Sequence, residues 1–263
     1  MIHPTAIVHP KARLDPTVEV GPFAIIDEHV TIAPGTKVAA HAWLTGWTEI
    51  GPENQIGYGT VIGSDPQDVS YKGARTYVRI GKGNVFREYC TVHRGSREDS
   101  ATVIGDDNFL MAQAHVAHNC ILANHIIVAN AALLGGHVEV EDRAFLSGNC
   151  VVHQFVRIGE IALLAGGARV SKDVPPYMTV WHTNDIQAVN LIGLRRAGIS
   201  GETRKKIRGA YRLLCRSGLN TSQAVAELKK LDHEPAIDHL IRFIEASKRG
   251  ICHGAEHEAG PEE

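Results

Sequence analysis

The chain has few aromatic residues, little net charge and no long apolar run. Aromatic residues make up 6% of its 263 residues, and the formal net charge at pH 7 is −2. A near-neutral chain lacks the strongly basic character of nucleic-acid-binding proteins, so we expect no nucleic-acid partner. No apolar run approaches the roughly 18–20 residues of a membrane-spanning helix, so we expect no membrane span.

Paired cysteines and targeting signals are also missing. The five cysteines are irregularly spaced and form no CxxC pair, which argues against a disulfide framework or a zinc ribbon and favours a reducing compartment. The N-terminal sequence MIHPTAIVHP has no basic head followed by an apolar stretch, so it does not predict a secretory signal. We therefore expect a cytoplasmic location.

What the chain does contain is a repeat of six residues. In steps of six from Ile2 to Val170, 26 of 29 positions carry a large apolar residue, and the exceptions are Asp68, Ala74 and Glu98. Apolar residues recur every third or fourth position in a helix and every second position in a strand, so a period of six fits neither element alone.

A period of six is typical of a coil in which each hexad makes one short strand and one turn. Three hexads then close a triangular coil of 18 residues, with the apolar anchors inside. This pattern resembles the left-handed parallel β-helix, and the left hand is taken from the resemblance because the usual crossover rule would give the right hand. The predicted fold is an all-β solenoid followed by an α-helical C-terminal domain.

The repeat and the helix signals together divide the chain. The frame of six is interrupted twice but returns in register, which predicts two loops. Pro175-Pro176 predicts the end of the coil. Ser200 and Pro235 are typical of helix N-termini. The predicted segments are a β-helix at 1–174 with loops at 63–79 and 94–103, a helical domain at 175–250 and a disordered tail at 251–263.

The two domains differ in charge. Residues 190–250 contain 13 Lys or Arg and 6 Asp or Glu, a net charge of +7. Such an excess indicates either solvated helix faces or a docking surface for an acidic partner.

The 18-residue coil predicts which side chains lie above one another. His118, Gly136 and Gln154 occupy one column, and Asn119 lies beneath His137 in the next. His115 and His153 flank the column, so four histidines gather near one edge of the coil, and Gly136 leaves space directly above His118.

Three interpretations of this cluster are open. The imidazoles could bind zinc between subunits of a trimer, or they could be polar decoration of a structural, non-catalytic β-helix. The third is a general base, His118, facing the Gly136 N–H as an oxyanion donor. That arrangement suits acyl transfer from a thioester to an alcohol.

Several motifs resemble the UDP-N-acetylglucosamine O-acyltransferase family of lipid A biosynthesis. They are PQDVSYKG (66–73), VHRG (92–95), LMAQAHVAHNC (110–120), LLGGHVEV (133–140), VHQF (152–155), DVPPY (173–177) and NLIGLRRAG (190–198). The resemblance covers nearly the whole chain. It implies a homotrimer that transfers a hydroxyacyl chain from acyl carrier protein to the 3-hydroxyl of UDP-GlcNAc, with no cofactor beyond the donor's phosphopantetheine thioester.

The resemblance also implies residue roles. His118 is the general base, Gly136 supplies the oxyanion N–H, and Gly166 stands at the position that limits acyl length. The implied substrate-binding residues are Gln67, Asp68, His115, His137, His153, Gln154, Asn190 and Arg196. No metal ligand is implied.

This chain departs from the family pattern at four positions. Ser70 stands where a substrate-facing lysine is usual and Asn119 where an aspartate follows the catalytic histidine. Ile192 and Ala197 replace a glutamate and an arginine near the nucleotide. These changes leave a second acceptor open, a 3-amino UDP-sugar that would be N-acylated by the same chemistry.

Overall fold

The computed structural model describes residues 1–231 and 234–254, and most of it is a coil of short parallel strands. Most strands contain two residues, one strand for each hexad. In chain order the strands of the coil are β1 (Ile7–Val8), β2 (Arg13–Leu14), β3 (Glu19–Val20), β4 (Ile25–Ile26), β5 (Thr31–Ile32), β6 (Lys37–Val38), β7 (Trp43–Leu44), β8 (Trp47–Ile50), β9 (Gln55–Ile56), β10 (Val61–Ser64), β11 (Tyr77–Ile80), β12 (Val85–Phe86), β13 (Thr91–His93), β14 (Ala101–Ile104), β15 (Phe109–Leu110), β16 (His115–Val116), β17 (Ile121–Leu122), β18 (Ile127–Val128), β19 (Leu133–Leu134), β20 (Glu139–Val140), β21 (Phe145–Leu146), β22 (Val151–Val152), β23 (Arg157–Ile158), β24 (Leu163–Leu164) and β25 (Arg169–Val170).

Three parallel sheets form the faces of the coil. Face A contains every third strand from β3 to β24, face B every third strand from β1 to β25, and face C every third strand from β2 to β23. On face B, His115 pairs with Leu133 and Leu133 with Val151, which is the predicted spacing of 18. The parallel β-helix predicted from the period of six is confirmed, and so is the left hand that the resemblance implies.

The core consists of the stacked anchors and of small residues at the corners. Val116, Leu134 and Val152 are each at most 2% exposed, and burying one such side chain contributes about 1.5–3 kcal/mol. Asparagines 54, 84 and 108 form a buried ladder at one corner. The Oδ1 atom of each accepts a backbone N–H from the coil above at 2.8–2.9 Å, which satisfies donors that the turns leave unpaired.

Both loops leave the coil at the corner between faces B and C. The first connects β10 to β11 over residues 65–76, and the second connects β13 to β14 over residues 94–100. They are shorter than the predicted 63–79 and 94–103 because β10, β11 and β14 each extend to four residues. Both therefore project beside the same edge of the coil as His118.

The coil continues beyond the predicted boundary at residue 174. The next elements are β26 (Met178–Trp181), which pairs in parallel with β24, and β27 (Asp185–Val189), which pairs antiparallel with β26. Pro175-Pro176 does not end the coil, because prolines are tolerated at a corner where no ladder hydrogen bond is needed. The predicted start of the helical domain at 175 is therefore too early.

The described part of the C-terminal domain contains four helices and one short strand. They are α1 (Leu191–Arg196), α2 (Gly201–Cys215), α3 (Thr221–Leu228), α4 (Pro235–Glu245) and β28 (His253–Gly254). Ser200 caps α2 through its side chain, as predicted, and Pro235 begins α4, whereas the six-residue α1 was not predicted. In the described part of the chain, no helix combines the length and apolarity needed to cross a bilayer.

The predicted disordered tail is wrong for residues 251–254. Ile251 and Cys252 are buried, and β28 adds to β27 as a parallel strand. The Cys252 N–H donates to the Asp173 carbonyl at 2.8 Å, which ties this segment to the end of the coil. The rest of the predicted tail, residues 255–263, lies outside the described residues.

His239 on α4 joins the helical domain to the coil. Its Nε2 lies 3.0 Å from a Glu141 carboxylate oxygen and its Nδ1 lies 3.4 Å from one of Glu160. Hydrogen bonds to these two carboxylates raise the pKa of His239 to about 9, against the opposing effect of burial. The imidazole is therefore charged at neutral pH and holds the two domains together electrostatically.

Candidate active site

The predicted column of His118 and Gly136 is present in the structure. The backbone N–H of His137 donates to the His118 carbonyl at 3.0 Å, which sets the two coils in register. An ideal Cβ placed on Gly136 would lie 2.6 Å from both Cε1 and Nε2 of the His118 ring. The imidazole therefore packs directly under the Gly136 backbone, and only glycine leaves room for it. Among the described residues the Gly136 N–H donates to no protein acceptor.

Asn119 fixes which nitrogen of His118 carries the proton. The Asn119 side-chain oxygen lies 3.0 Å from His118 Nδ1 and also accepts the Ser96 backbone N–H at 3.0 Å. Because a backbone N–H must face an acceptor, this amide atom is the oxygen, and Nδ1 must then be the protonated nitrogen. The lone pair of His118 is left on Nε2, the atom beneath Gly136.

Two other histidines of the edge, His115 and His137, are held as neutral imidazoles. His115 Nδ1 lies 2.7 Å from the Thr91 hydroxyl, and burial lowers its pKa. His137 stacks on Phe155 with ring centroids 4.6 Å apart, and burial, followed by the neighbouring His118, lowers its pKa. A row of uncharged rings therefore surrounds His118.

His93 belongs to the same cluster, although the sequence did not single it out. It is 7% exposed, its ring meets His115 edge-on with centroids 5.1 Å apart, and its buried Nδ1 has no hydrogen-bond partner. Burial, and then the neighbouring histidines, lower its pKa to about 4. The VHRG motif was its only sequence signal.

Loop 65–76 carries Asp68 beside the histidines. The Ser70 N–H donates to Asp68 Oδ1 at 2.9 Å, and this hydrogen bonding lowers the pKa of Asp68, with smaller contributions from His118 and His137. Asp68 is thus a partly exposed carboxylate within electrostatic range of the base.

Arg94 fixes the path of this loop. It donates to the Gly63 carbonyl at 2.8 Å and to the Tyr71 hydroxyl at 3.0 Å, and it also forms an ion pair with Asp65. Arg94 lies within the VHRG motif, but the sequence alone predicts no role for it.

Most of the predicted site residues line one cavity of about 380 Å³ at the corner between faces B and C. His137 and Asp68 do not line this cavity, but both lie close to His118, which does. Exposed Leu133 and Val151 give the cavity an apolar floor on face B. The predicted residues that line it are Gln67, His115, His118, Gly136, His153 and Gln154.

Asn190 and Arg196 are not brought to this cavity. They line a second cavity of about 510 Å³ on face A, together with Ile192 and Arg143. The Asn190 side chain accepts the Gly193 N–H at 2.9 Å to cap α1 and donates to the Ile161 carbonyl at 2.8 Å, so its polar atoms already have partners. The Arg196 side chain is exposed.

Gly166 lines neither cavity. It lies at the corner between faces A and B, where an added Cβ would find only the Gly148 carbonyl oxygen, at 3.8 Å. Space for a larger side chain therefore exists at this position.

The described residues of a single chain offer no zinc site. Residues 1–231 and 234–254 contain no group of three or more His, Cys, Asp or Glu side chains arranged to hold a metal ion.

Comparisons with known proteins give one family. A family model described as UDP-N-acetylglucosamine O-acyltransferase, domain 2, matches residues 173–252. The acyl-[acyl-carrier-protein]–UDP-N-acetylglucosamine O-acyltransferase of Thermodesulfovibrio yellowstonii is 47% identical over 254 residues, covering 95% of this chain and 98% of the relative. The Burkholderia lata protein of the same name is 44% identical over 257 residues, with the same coverage.

A solved structure agrees with these relatives. The Francisella novicida UDP-N-acetylglucosamine acyltransferase superposes with a TM-score of 0.93 at 34% identity, and the match covers 100% of both chains. The chain therefore belongs to the UDP-N-acetylglucosamine O-acyltransferase family.

Proposed function

We propose that this protein transfers a 3-hydroxyacyl chain from acyl carrier protein to the 3-hydroxyl of UDP-GlcNAc, the first step of lipid A biosynthesis, with His118 as general base. The observation that carries the proposal is the unprotonated Nε2 of His118 beneath the open N–H of Gly136. A base and an oxyanion donor side by side are what acyl transfer to an alcohol needs.

The reaction follows from this arrangement. Nε2 of His118 takes the proton of the sugar hydroxyl as its oxygen attacks the thioester carbonyl carbon. The carbonyl oxygen becomes an oxyanion, and the Gly136 N–H stabilises it. When the C–S bond breaks, the imidazolium returns its proton to the departing thiolate. The thioester itself supplies the activated acyl group, so we assign no resident cofactor.

We place the sugar beside loop 65–76. Asp68 is ionised, partly exposed and close to His118 and His137, so its carboxylate can accept a hydrogen bond from the acceptor sugar and orient it toward Nε2. Gln67, on the same loop, lines the cavity.

The acyl chain is assigned to face B. Leu133 and Val151 are each 42% exposed and form the apolar floor of the catalytic cavity. They lie between His118 at one corner and Gly166 at the other, so Gly166 leaves space at the far end for a long chain.

The nucleotide is assigned to the second cavity. Exposed Arg196 and Arg143 give that cavity positive charge suited to a diphosphate. The two cavities lie on different faces of one chain, so one ligand can reach both only where two copies adjoin. This incompleteness of the single-chain site supports the proposed homotrimer.

The donor protein is assigned to the helical domain. Lys205, Arg208 and Arg212 are exposed along one face of α2, and none of them forms an ion pair within the described residues. A row of unpaired cations suits an acidic carrier protein.

We also assign the enzyme to the cytoplasm, as the compartment of a reaction that uses acyl chains bound to carrier protein.

A 3-amino UDP-sugar is the second candidate acceptor. Asn119 gives His118 a neutral partner, and an amine needs less help from a base than a hydroxyl does, because its nitrogen lone pair can attack before the proton leaves.

The test is acyl transfer from a panel of 3-hydroxyacyl carrier proteins to both sugars, with the products identified by mass spectrometry. We expect an ester of UDP-GlcNAc. Turnover with the 3-amino sugar alone would replace the acceptor, and no turnover with either sugar would contradict the proposal.

A further inference from the structure

The second cavity contains two cations and no carboxylate. Arg143 reaches it from the corner between faces C and A, and Arg196 reaches it from α1, while its walls are mainly apolar. No Asp or Glu is among the described residues that line it. The Arg143 side chain is 49% exposed, so its guanidinium is accessible to an anion in the cavity. The carboxylate of Glu160 lies just outside and competes for the same guanidinium.

Glu160 is held more closely on the side of the helical domain than on the side of the cavity. Glu160 and Arg143 lie at the same corner in successive coils, each between a strand of face C and a strand of face A. The Oε2 atom of Glu160 accepts the Tyr177 hydroxyl at 3.3 Å and lies 3.4 Å from His239 Nδ1. Its Oε1 atom lies at the longer distance of 4.0 Å from Arg143 Nη1. Arg143 is therefore the looser partner of this carboxylate.

We propose that His239 is a positioning residue for the second cavity, which holds Glu160 on the helical side and leaves Arg143 to bind the diphosphate of the acceptor. This inference rests on the proposed function, in which that cavity takes the nucleotide. Within the described residues, His239 and Arg143 are the cations within 4.0 Å of Glu160. If the imidazolium is removed, the Arg143–Glu160 pair should tighten and compete with the ligand.

The charge on His239 is the physical basis of this role. Carboxylate oxygens of Glu141 and Glu160 lie 3.0 Å and 3.4 Å from its two ring nitrogens, and hydrogen bonds to them raise its pKa to about 9. Tyr177 meets the ring edge-on, and burial raises the pKa of its phenol, so Tyr177 adds no charge; Arg242 of α4 lies within electrostatic range of that phenol. At neutral pH one imidazolium therefore faces two carboxylates, and a neutral side chain would leave both of them without it.

Four variants separate this role from a general effect on folding. His239→Gln removes the imidazolium, Glu160→Gln removes the competing carboxylate, and Arg143→Gln removes the contact with the ligand. Glu141→Gln is the matched control, because Glu141 contacts His239 but forms no ion pair with Arg143 in the described part of the chain. A purely structural junction would respond in the same direction to His239→Gln and Glu160→Gln, since each loses the same contact. The proposal predicts opposite directions.

The experiment measures kcat and the KM for UDP-GlcNAc at neutral pH, and the Kd of UDP by calorimetry, below the melting temperature of every variant. Arg143→Gln should raise the KM roughly tenfold, the effect of losing one hydrogen bond to a charged group. His239→Gln should raise it roughly threefold, as expected for tightening one exposed ion pair, with kcat unchanged. Glu160→Gln should leave the KM at or below the wild-type value, and should restore it when combined with His239→Gln. Glu141→Gln should not change it.

Three results would overturn the inference. They are a wild-type KM in His239→Gln, a rise that persists undiminished in the Arg143→Gln background, and equal rises in His239→Gln and Glu160→Gln. Failure of the inference is distinguishable from failure of the proposed function. If the wild type gives no turnover with UDP-GlcNAc, the proposed function is wrong, and the Kd of UDP in the variants still tests the inference. If turnover is normal and His239→Gln keeps the wild-type KM, the function stands and the positioning role is wrong.

Discussion

Replacing Gly136 with alanine changes the site by one methyl group at a defined place. An ideal Cβ at Gly136 lies 2.6 Å from Cε1 and Nε2 of His118, whereas carbon and nitrogen atoms pack no closer than about 3.5 Å. The ring would have to move by roughly 1 Å. A displacement of that size at a reacting group can lower the rate about 10²-fold.

Backbone strain does not complicate this variant. Gly136 is not among the glycines with positive φ, so alanine fits the turn, and the effect should come from the imidazole alone. We expect Gly136→Ala to reduce kcat about 10²-fold while the melting temperature changes little.

The assay is steady-state acyl transfer together with thermal unfolding. Gly148→Ala is the matched control, since it occupies the same hexad position one corner away and its Cβ would meet only the Asn130 carbonyl oxygen, at 3.3 Å. If Gly136→Ala kept a rate within a few-fold of Gly148→Ala, the close packing of His118 under Gly136 would have no catalytic role, and the reasoning would be refuted.

Three further predictions follow from other parts of the structure. The pKa of His239 rises from 6.5 to about 9 on folding, so its ion pairs should stabilise the fold by at most about 3 kcal/mol below pH 6.5 and lose this contribution as the pH rises through 9. Denaturant unfolding should show that loss, and His239→Gln should abolish it. Arg208→Glu on α2 should raise the KM for acyl carrier protein several-fold, with a smaller effect at high salt, and an unchanged KM would remove α2 from the docking surface. Gly166→Met should shift the preferred donor to a shorter acyl chain without loss of folding, because the added Cβ has an ordinary contact, and an unchanged chain-length profile would contradict the assigned acyl path.

The sequence was most informative where every coil has 18 residues. There, simple counting placed His118 under Gly136, and the structure has these neighbours. The same spacing of 18 pairs His115 with Leu133, and Leu133 with Val151, on face B. The reason is physical, because parallel strands with a fixed coil length stack identical positions of successive coils.

Counting failed where loops add residues to a coil. Ser96 lies 23 residues before Asn119 and reaches it only because loop 94–100 folds back over the corner. Arg94 likewise holds loop 65–76 through partners that no period predicts. The path of such loops depends on long-range contacts, which local patterns do not encode.

The sequence pattern also did not predict where the coil and the C-terminal domain end. Pro175-Pro176 predicts the end of the coil, but a proline at a corner costs no ladder hydrogen bond, and β26 follows. The polar composition of 251–263 predicts a disordered tail, yet Ile251 is buried against the end of the coil.

The most direct test of the account is the rate of acyl transfer to UDP-GlcNAc by His118→Ala. The account predicts that kcat/KM falls by about 10²–10⁴, the usual contribution of a general base, while the melting temperature and the KM for UDP-GlcNAc stay near those of the wild type. A folded His118→Ala enzyme with a rate within a few-fold of the wild type would contradict the assignment of His118 as the base.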